Sequence, residues 1–126
     1  MELELHFACS GLKNVDVGSL TDSAAVVYLR SGYKSFKISG RGQYKFVGKT
    51  ETITDNLNPV YVQSVVINYL FEEKQDIRIA VYQIDDLSPQ ASAEQKLIGV
   101  VDLHVHDIVT SPGGKIERPL VEYDQE

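Results

Sequence analysis

Seven short runs of β-branched, aromatic and alternating apolar residues, each closed by a Gly, Pro, Asn or Asp cluster, leave no stretch of this chain with a sustained helical period. Residues 2–10 alternate cleanly. Leu3, Leu5, Phe7 and Cys9 share one face and Glu2, Glu4, His6 and Ser10 the other, which predicts a half-buried first strand. Residues 24–30 form a continuous apolar run, expected to be covered on both faces. Further strands are predicted over 43–53, 62–69, 77–81, 97–104 and 116–121, with a short helical turn at 106–109 and a break at Ser111-Pro112-Gly113-Gly114. Strands recurring at this spacing fit an all-β antiparallel sandwich, and 126 residues suffice for one such domain.

The connectors carry the functional signal. If consecutive strands run antiparallel, the loops at 11–22, 54–60 and 85–96 all fall at one end of the sandwich, and all three hold Asp or Asn. The middle loop is expected to be rigid, because Pro59 restricts Asn58 to extended geometry and Asn56 and Asn58 can bond nearby backbone. Convergent carboxylates on such loops suit Ca²⁺, which takes six to eight oxygen ligands in flexible geometry.

Composition removes several alternatives. The single Cys9 allows no internal disulfide and sits in an alternating run as a small hydrophobe, which suits a reducing compartment. The N-terminus has neither a basic region nor an apolar core of the kind a signal peptide needs, and the apolar runs are too short to span a bilayer, so a cytoplasmic location with peripheral membrane contact is expected. The net charge of −6 is unevenly spread. Arg30, Lys34, Lys37, Arg41, Lys45 and Lys49 fill a window without Asp or Glu, so the window carries +6 and the remainder −12. This is either a solvated hairpin surface or a patch for anionic head groups or an acidic partner.

Five blocks in order extend the argument to a family. Leu12-Lys13-Asn14-Val15-Asp16, Thr21-Asp22-Ser23, the stretch 50–61 with Asn56-Leu57-Asn58-Pro59, Val81-Tyr82-Gln83-Ile84-Asp85 and Leu97-Ile98-Gly99 together resemble a C2 domain over nearly the whole chain. Gly48-Lys49-Thr50-Glu51, Tyr69-Leu70-Phe71-Glu72-Glu73-Lys74 and Asp107-Ile108-Val109-Thr110-Ser111-Pro112-Gly113 are most similar to the first C2 domain of the copines. The resemblance implies an eight-stranded Greek-key sandwich, one strand more than the seven read here. It also implies a phospholipid-binding module, and residues 1–126 are expected to be the N-terminal piece of a longer protein with a second C2 domain and a von Willebrand A-like domain.

The resemblance also identifies what is missing. Asp16, Asp22 and Asp85 match Ca²⁺-ligand positions, whereas two others hold Gln83 and Lys96, so three of five carboxylates remain. Ca²⁺ affinity follows ligand charge and number, so binding is expected to be weak or absent. The Lys96 ammonium would itself offset carboxylate repulsion where a cation would sit, unless Asp86 or Glu94 substitutes as a ligand. For lipid contact, Val17, Leu20 and Leu87 would enter the interface while Lys34, Lys37, Arg41, Lys45 and Lys49 hold anionic head groups. The alternative is a Ca²⁺-independent protein-protein docking module. His104 and His106 would share a strand face but lack a third ligand, and Gly40-Arg41-Gly42 precedes no helix. The aromatic residues fit core and cross-strand pairs better than base-stacking platforms, so no nucleic-acid partner is expected. No nucleophile-base pairing is legible, so no enzymatic activity is expected.

Overall fold

A computed structural model describes residues 1–14, 18–31 and 43–122. Six strands form in the order β1 (Glu2–Leu5), β2 (Ser23–Ser31), β3 (Lys45–Lys49), β4 (Val65–Asn68), β5 (Gln75–Gln83) and β6 (Lys96–His104), followed by a short helix α1 (Val105–Val109) and a 3₁₀ turn at Pro112–Gly114. Two antiparallel sheets result, β1-β4 and β3-β2-β5-β6. Between them lies the core. Leu5, Val27, Val65, Ile67, Ile77 and Val105 make one cluster, and Leu12, Ala25, Tyr61, Val81 and Ile98 another nearer the loops. Burying side chains of this size contributes about 1.5–3 kcal/mol each, which is ample reason for alternating runs to fold face to face.

The strand pattern expected from sequence is present but trimmed: the third strand runs only over Lys45–Lys49 where 43–53 is expected, and hydrogen-bond chemistry accounts for the losses in the fourth and seventh. The first strand stops at Leu5 and continues only as isolated contacts, with Tyr61 N–H donating to Phe7 O (3.0 Å) and Cys9 N–H to Pro59 O (2.9 Å). The Glu51 carboxylate takes the backbone N–H groups of Val62 and Gln63 at 2.7 and 3.0 Å, so those donors leave the ladder and β4 begins at Val65 rather than residue 62. The seventh strand, expected at 116–121, reduces to one bridge between Val100 and Val121. Pro119 lacks the N–H needed to continue it. The fifth strand, expected at 77–81, is longer than predicted and runs from Gln75 to Gln83.

Two glycines mark close approaches. A Cβ at Gly48 would lie 2.8 Å from Val65 Cγ1, where β3 crosses β4, and one at Gly99 would lie 3.0 Å from Leu120 Cβ, where the C-terminal segment lies on β6. At Gly99 of the Leu97-Ile98-Gly99 block, a larger residue would have to push Leu120 aside by a few tenths of an ångström. The second strand is fully buried from Ser23 to Val27 but only half-buried beyond, so coverage on both faces holds for its first half alone.

Candidate functional site at the loop end

The register decides where the loops meet. Ser23 opens β2 opposite Gln83, which closes β5, and Gln83 in turn faces Lys96, which opens β6; Lys49, which closes β3, pairs with Val26. The loops at 11–22, 50–64 and 84–95 therefore share one end, as parity predicts.

Hydrogen bonds tie these loops together. Leu12 N–H donates to Leu57 O (2.9 Å), Gly11 N–H to Asn58 Oδ1 (2.8 Å), Asn56 N–H to Thr21 O (3.0 Å) and Ile84 N–H to Asp22 O (2.9 Å). Asn58 N–H donates to Asn56 Oδ1 (2.7 Å), the local bond expected of this Asn-Leu-Asn-Pro turn. The middle loop is braced, and Pro59 at its base is buried.

Each acidic side chain described at this end already accepts a protein donor. Asp22 Oδ1 accepts Asp55 N–H at 2.7 Å, and Asp55 Oδ1 accepts Leu20 N–H at 2.8 Å. Asp55 adopts a positive φ of 55°, a conformation that Asp and Asn tolerate because their short polar side chains bond locally. Asp85 Oδ1 accepts the Gln83 side-chain amide at 3.2 Å, so Gln83 offers this carboxylate a donor where a fourth acid is expected of the family pattern. Gln95 braces the third loop. Its Oε1 accepts the N–H groups of Asp85 and Asp86 at 2.8 and 2.9 Å, while its amide donates to Asp86 O and Ser92 O at 2.9 and 2.8 Å.

The two possible substitute ligands are drawn elsewhere. Asp86 Oδ1 accepts Ser88 N–H at 3.0 Å, and bonds to Ser88 hold this carboxyl below the usual aspartate range. Glu94 accepts the Tyr28 hydroxyl at 2.6 Å, with Tyr82 OH 3.2 Å from Tyr28 OH, so it lies over the four-stranded sheet instead of turning into the loops. Burial, then bonding to Glu94 and Tyr82, pushes the Tyr28 phenol strongly up. Lys96 is exposed and makes no ion pair among the described residues. Asp16 and Val17 lie outside the described residues. Among those described, no group of three or more His, Cys, Asp or Glu side chains is arranged to hold a metal, and the donors that are present serve the loops themselves. The described carboxylates by themselves fall short of the six to eight oxygen ligands that Ca²⁺ takes.

Leu20 and Leu87 are exposed on the first and third loops, at 40 and 58%. On the edge strand β3, Lys45 and Lys49 are exposed as well. Arg30, in contrast, does not belong to a free basic surface: its Nε donates to Asp76 Oδ2 at 2.9 Å, and its guanidinium lies 4.3 Å from the Tyr44 ring centroid, with that of Arg78 at 4.5 Å. Lys34, Lys37, Arg41 and the Gly40-Arg41-Gly42 segment are outside the described residues.

His104 and His106 do not share a strand face. His104 ends β6 and bonds Asp76 Oδ1 at 2.7 Å, while His106 sits in α1 near the Tyr69 hydroxyl (3.4 Å). Cys9 is half-buried beside Tyr61, and burial raises its thiol pKa against the lowering bond from Tyr61, which makes it a poor nucleophile. Sequence reading missed Asp55, Gln95 and Asp76. The Asp-Asn turn cluster hinted at the first; Gln95 carried no signal, and Asp76 needed the register that sets it opposite both Arg30 and His104.

The chain matches the C2 domain family over residues 3–120. It is 37% identical over 121 residues to copine-B of Dictyostelium discoideum, covering 93% of this chain and 20% of that protein. It is 31% identical over 115 residues to copine-E of the same organism (91% and 19%) and 30% identical over 126 residues to its copine-C (98% and 22%). The chain thus spans about a fifth of the length of the curated relatives it matches.

Proposed function

The chain belongs to the C2 domain family and is of copine type, and on that premise we propose that it is a peripheral phospholipid-binding module whose attachment depends weakly, or not at all, on Ca²⁺. The family match points to a binding module rather than a catalytic domain. One observation carries the finer reading: the convergent loops present Leu20 and Leu87 to solvent while the carboxylates of Asp22 and Asp85 already accept protein donors. Apolar tips of this kind enter the interface between head groups and acyl chains, and the exposed Lys45 and Lys49 supply attraction to anionic lipid. Lys34, Lys37, Arg41 and Val17 belong to the same proposal. Among the described residues no helix is long and apolar enough to cross a membrane. Attachment is therefore proposed to be peripheral, on the cytoplasmic side, as part of a longer multidomain protein.

Co-sedimentation with phosphatidylserine vesicles, with Ca²⁺ and with chelator, tests this beside a calorimetric Ca²⁺ titration. Binding is expected in both conditions, and the double variant Lys45→Gln/Lys49→Gln should weaken it about thirtyfold, at about 1 kcal/mol per basic residue. Binding only with Ca²⁺ would sink the degenerate-site reading. No binding in either condition favours the second reading, protein docking, which rests on Val60, Val62 and Val66 being exposed at 70, 83 and 51% along the stretch that faces the first strand.

A further inference from the structure

The apolar loop tips are not free to choose their direction. Leu20 is fixed through its own backbone, because its N–H donates to the Asp55 carboxylate, and the Asp55 backbone N–H in turn donates to Asp22. One loop thus clamps the other through two reciprocal bonds, 2.8 and 2.7 Å long, with Asp55 at the centre. Leu87 is fixed from both sides. Asp86, before it, gives its N–H to Gln95 and its carbonyl to the Gln95 amide, and Ser88, after it, donates its N–H to Asp86 Oδ1. The two side chains at the centre of these contacts, Asp55 and Gln95, lie outside the ligand positions of the family pattern.

Building on the membrane reading above, we infer that Asp55 and Gln95 are positioning residues that hold Leu20 and Leu87 in their insertion-ready orientation by hydrogen bonds, without a metal ion. The bonds use protein donors and acceptors alone, so the hold on Leu20 and Leu87 does not depend on Ca²⁺. A preorganised tip loses less conformational freedom on insertion, and that saving appears as affinity. Lipid binding would then be set by residues that touch no lipid.

Asp55 offers a charge-matched test. Asp55→Asn keeps an Oδ1 acceptor and the tolerance for positive φ; Asp55→Gly keeps the tolerance and removes the acceptor. Both variants lose the same single charge, so a difference between them reports the lost acceptor and the added backbone freedom of Gly, not the charge. Gln95→Met removes the second brace at nearly unchanged volume. Each protein is examined in chelator by amide hydrogen exchange, thermal unfolding and affinity for vesicles of phosphatidylserine and phosphatidylcholine.

The expected result is a protected Leu20 amide in wild type and Asp55→Asn, and fast exchange in Asp55→Gly. Vesicle affinity should fall about fivefold in Asp55→Gly, as loss of one bond's worth of preorganisation implies, and at least as far in Gln95→Met, which loses four bonds, with Asp55→Asn close to wild type. A Leu20 amide that exchanges freely in wild type overturns the inference, as does vesicle binding by Asp55→Gly equal to that of Asp55→Asn. Wild type that ignores vesicles in every condition overturns the membrane reading and this inference together, whereas binding indifferent to Asp55→Gly overturns this inference alone.

Discussion

The two ends of the sandwich use carboxylates in opposite ways. At the loop end, Asp22, Asp55 and Asp85 sit at or near the surface and accept backbone or amide N–H groups. At the far end, Asp76 is 3% exposed and is held between two cationic or potentially cationic groups, the Arg30 guanidinium and the His104 ring. An exposed acid bonded to neutral donors keeps much of its hydration and shapes a loop; a buried one must be paired, because an isolated charge in low dielectric costs several kcal/mol. The sequence offers the same residue type at both ends, and burial assigns its role.

The strongest way to sharpen this contrast is Asp76→Ala. Removing the acid strands Arg30 beside the half-buried His104, and we expect a loss of about 3 kcal/mol in urea unfolding, at the low end for a broken buried pair because Arg30 is 29% exposed. A loss below ~1 kcal/mol, the level of an exposed pair, would erase the distinction between the ends.

A subtler break uses alkali. Burial keeps the phenol of Tyr61, which lies in the loop-side core and bonds Ser23 Oγ at 2.7 Å, neutral well above the ordinary tyrosine range; Tyr28 behaves alike. A raised folded pKa contributes stability that is complete below the unfolded value and is lost as pH rises toward the folded value. Ultraviolet titration should therefore show these two of the seven tyrosines ionising only with alkaline unfolding, and Tyr61→Phe should reduce the alkaline loss. Ordinary titration of all seven in the folded protein contradicts this.

The smallest expected effect concerns Glu51. Burial opposes its charge, but the N–H groups of Val62 and Gln63 win and hold its carboxyl below the usual glutamate range. A depressed folded pKa contributes stability present above the unfolded value and lost as pH falls through the folded one. Stability at acid pH should decline less steeply in Glu51→Gln than in wild type. Equal slopes would show that the two backbone bonds do not favour the charged form.

Much of this fold was legible from residue order. The alternation of Leu3 and Leu5, the run from Ala24 and the alternation of Ile77, Ile79 and Val81 all became strands, because a period of two has one stable outcome when one face must be buried. The helical turn near 106–109 also formed, as Val105–Val109. What failed were the ends of strands, at Leu5, Val65 and Val121; at the last two a side chain or a proline competes for the ladder's hydrogen bonds. In the candidate site, Asp22, Gln83 and Asp85 were singled out by the family resemblance, but the bonds that join them to Asp55, Gln95 and one another are ones that no motif announces.

By itself, then, the sequence determined a β-sandwich and the convergence of three Asp- and Asn-bearing loops at one end. Those are consequences of periodicity, strand parity and residue identity, all local or countable along the chain. Only the tertiary structure decided that the remaining described aspartates are engaged by protein donors, that Glu94 lies over the sheet, and that Arg30 is paired rather than free. Those outcomes depend on which groups come within about 3 Å of one another across strands and loops, and at that range a hydrogen bond to one partner leaves less for any other.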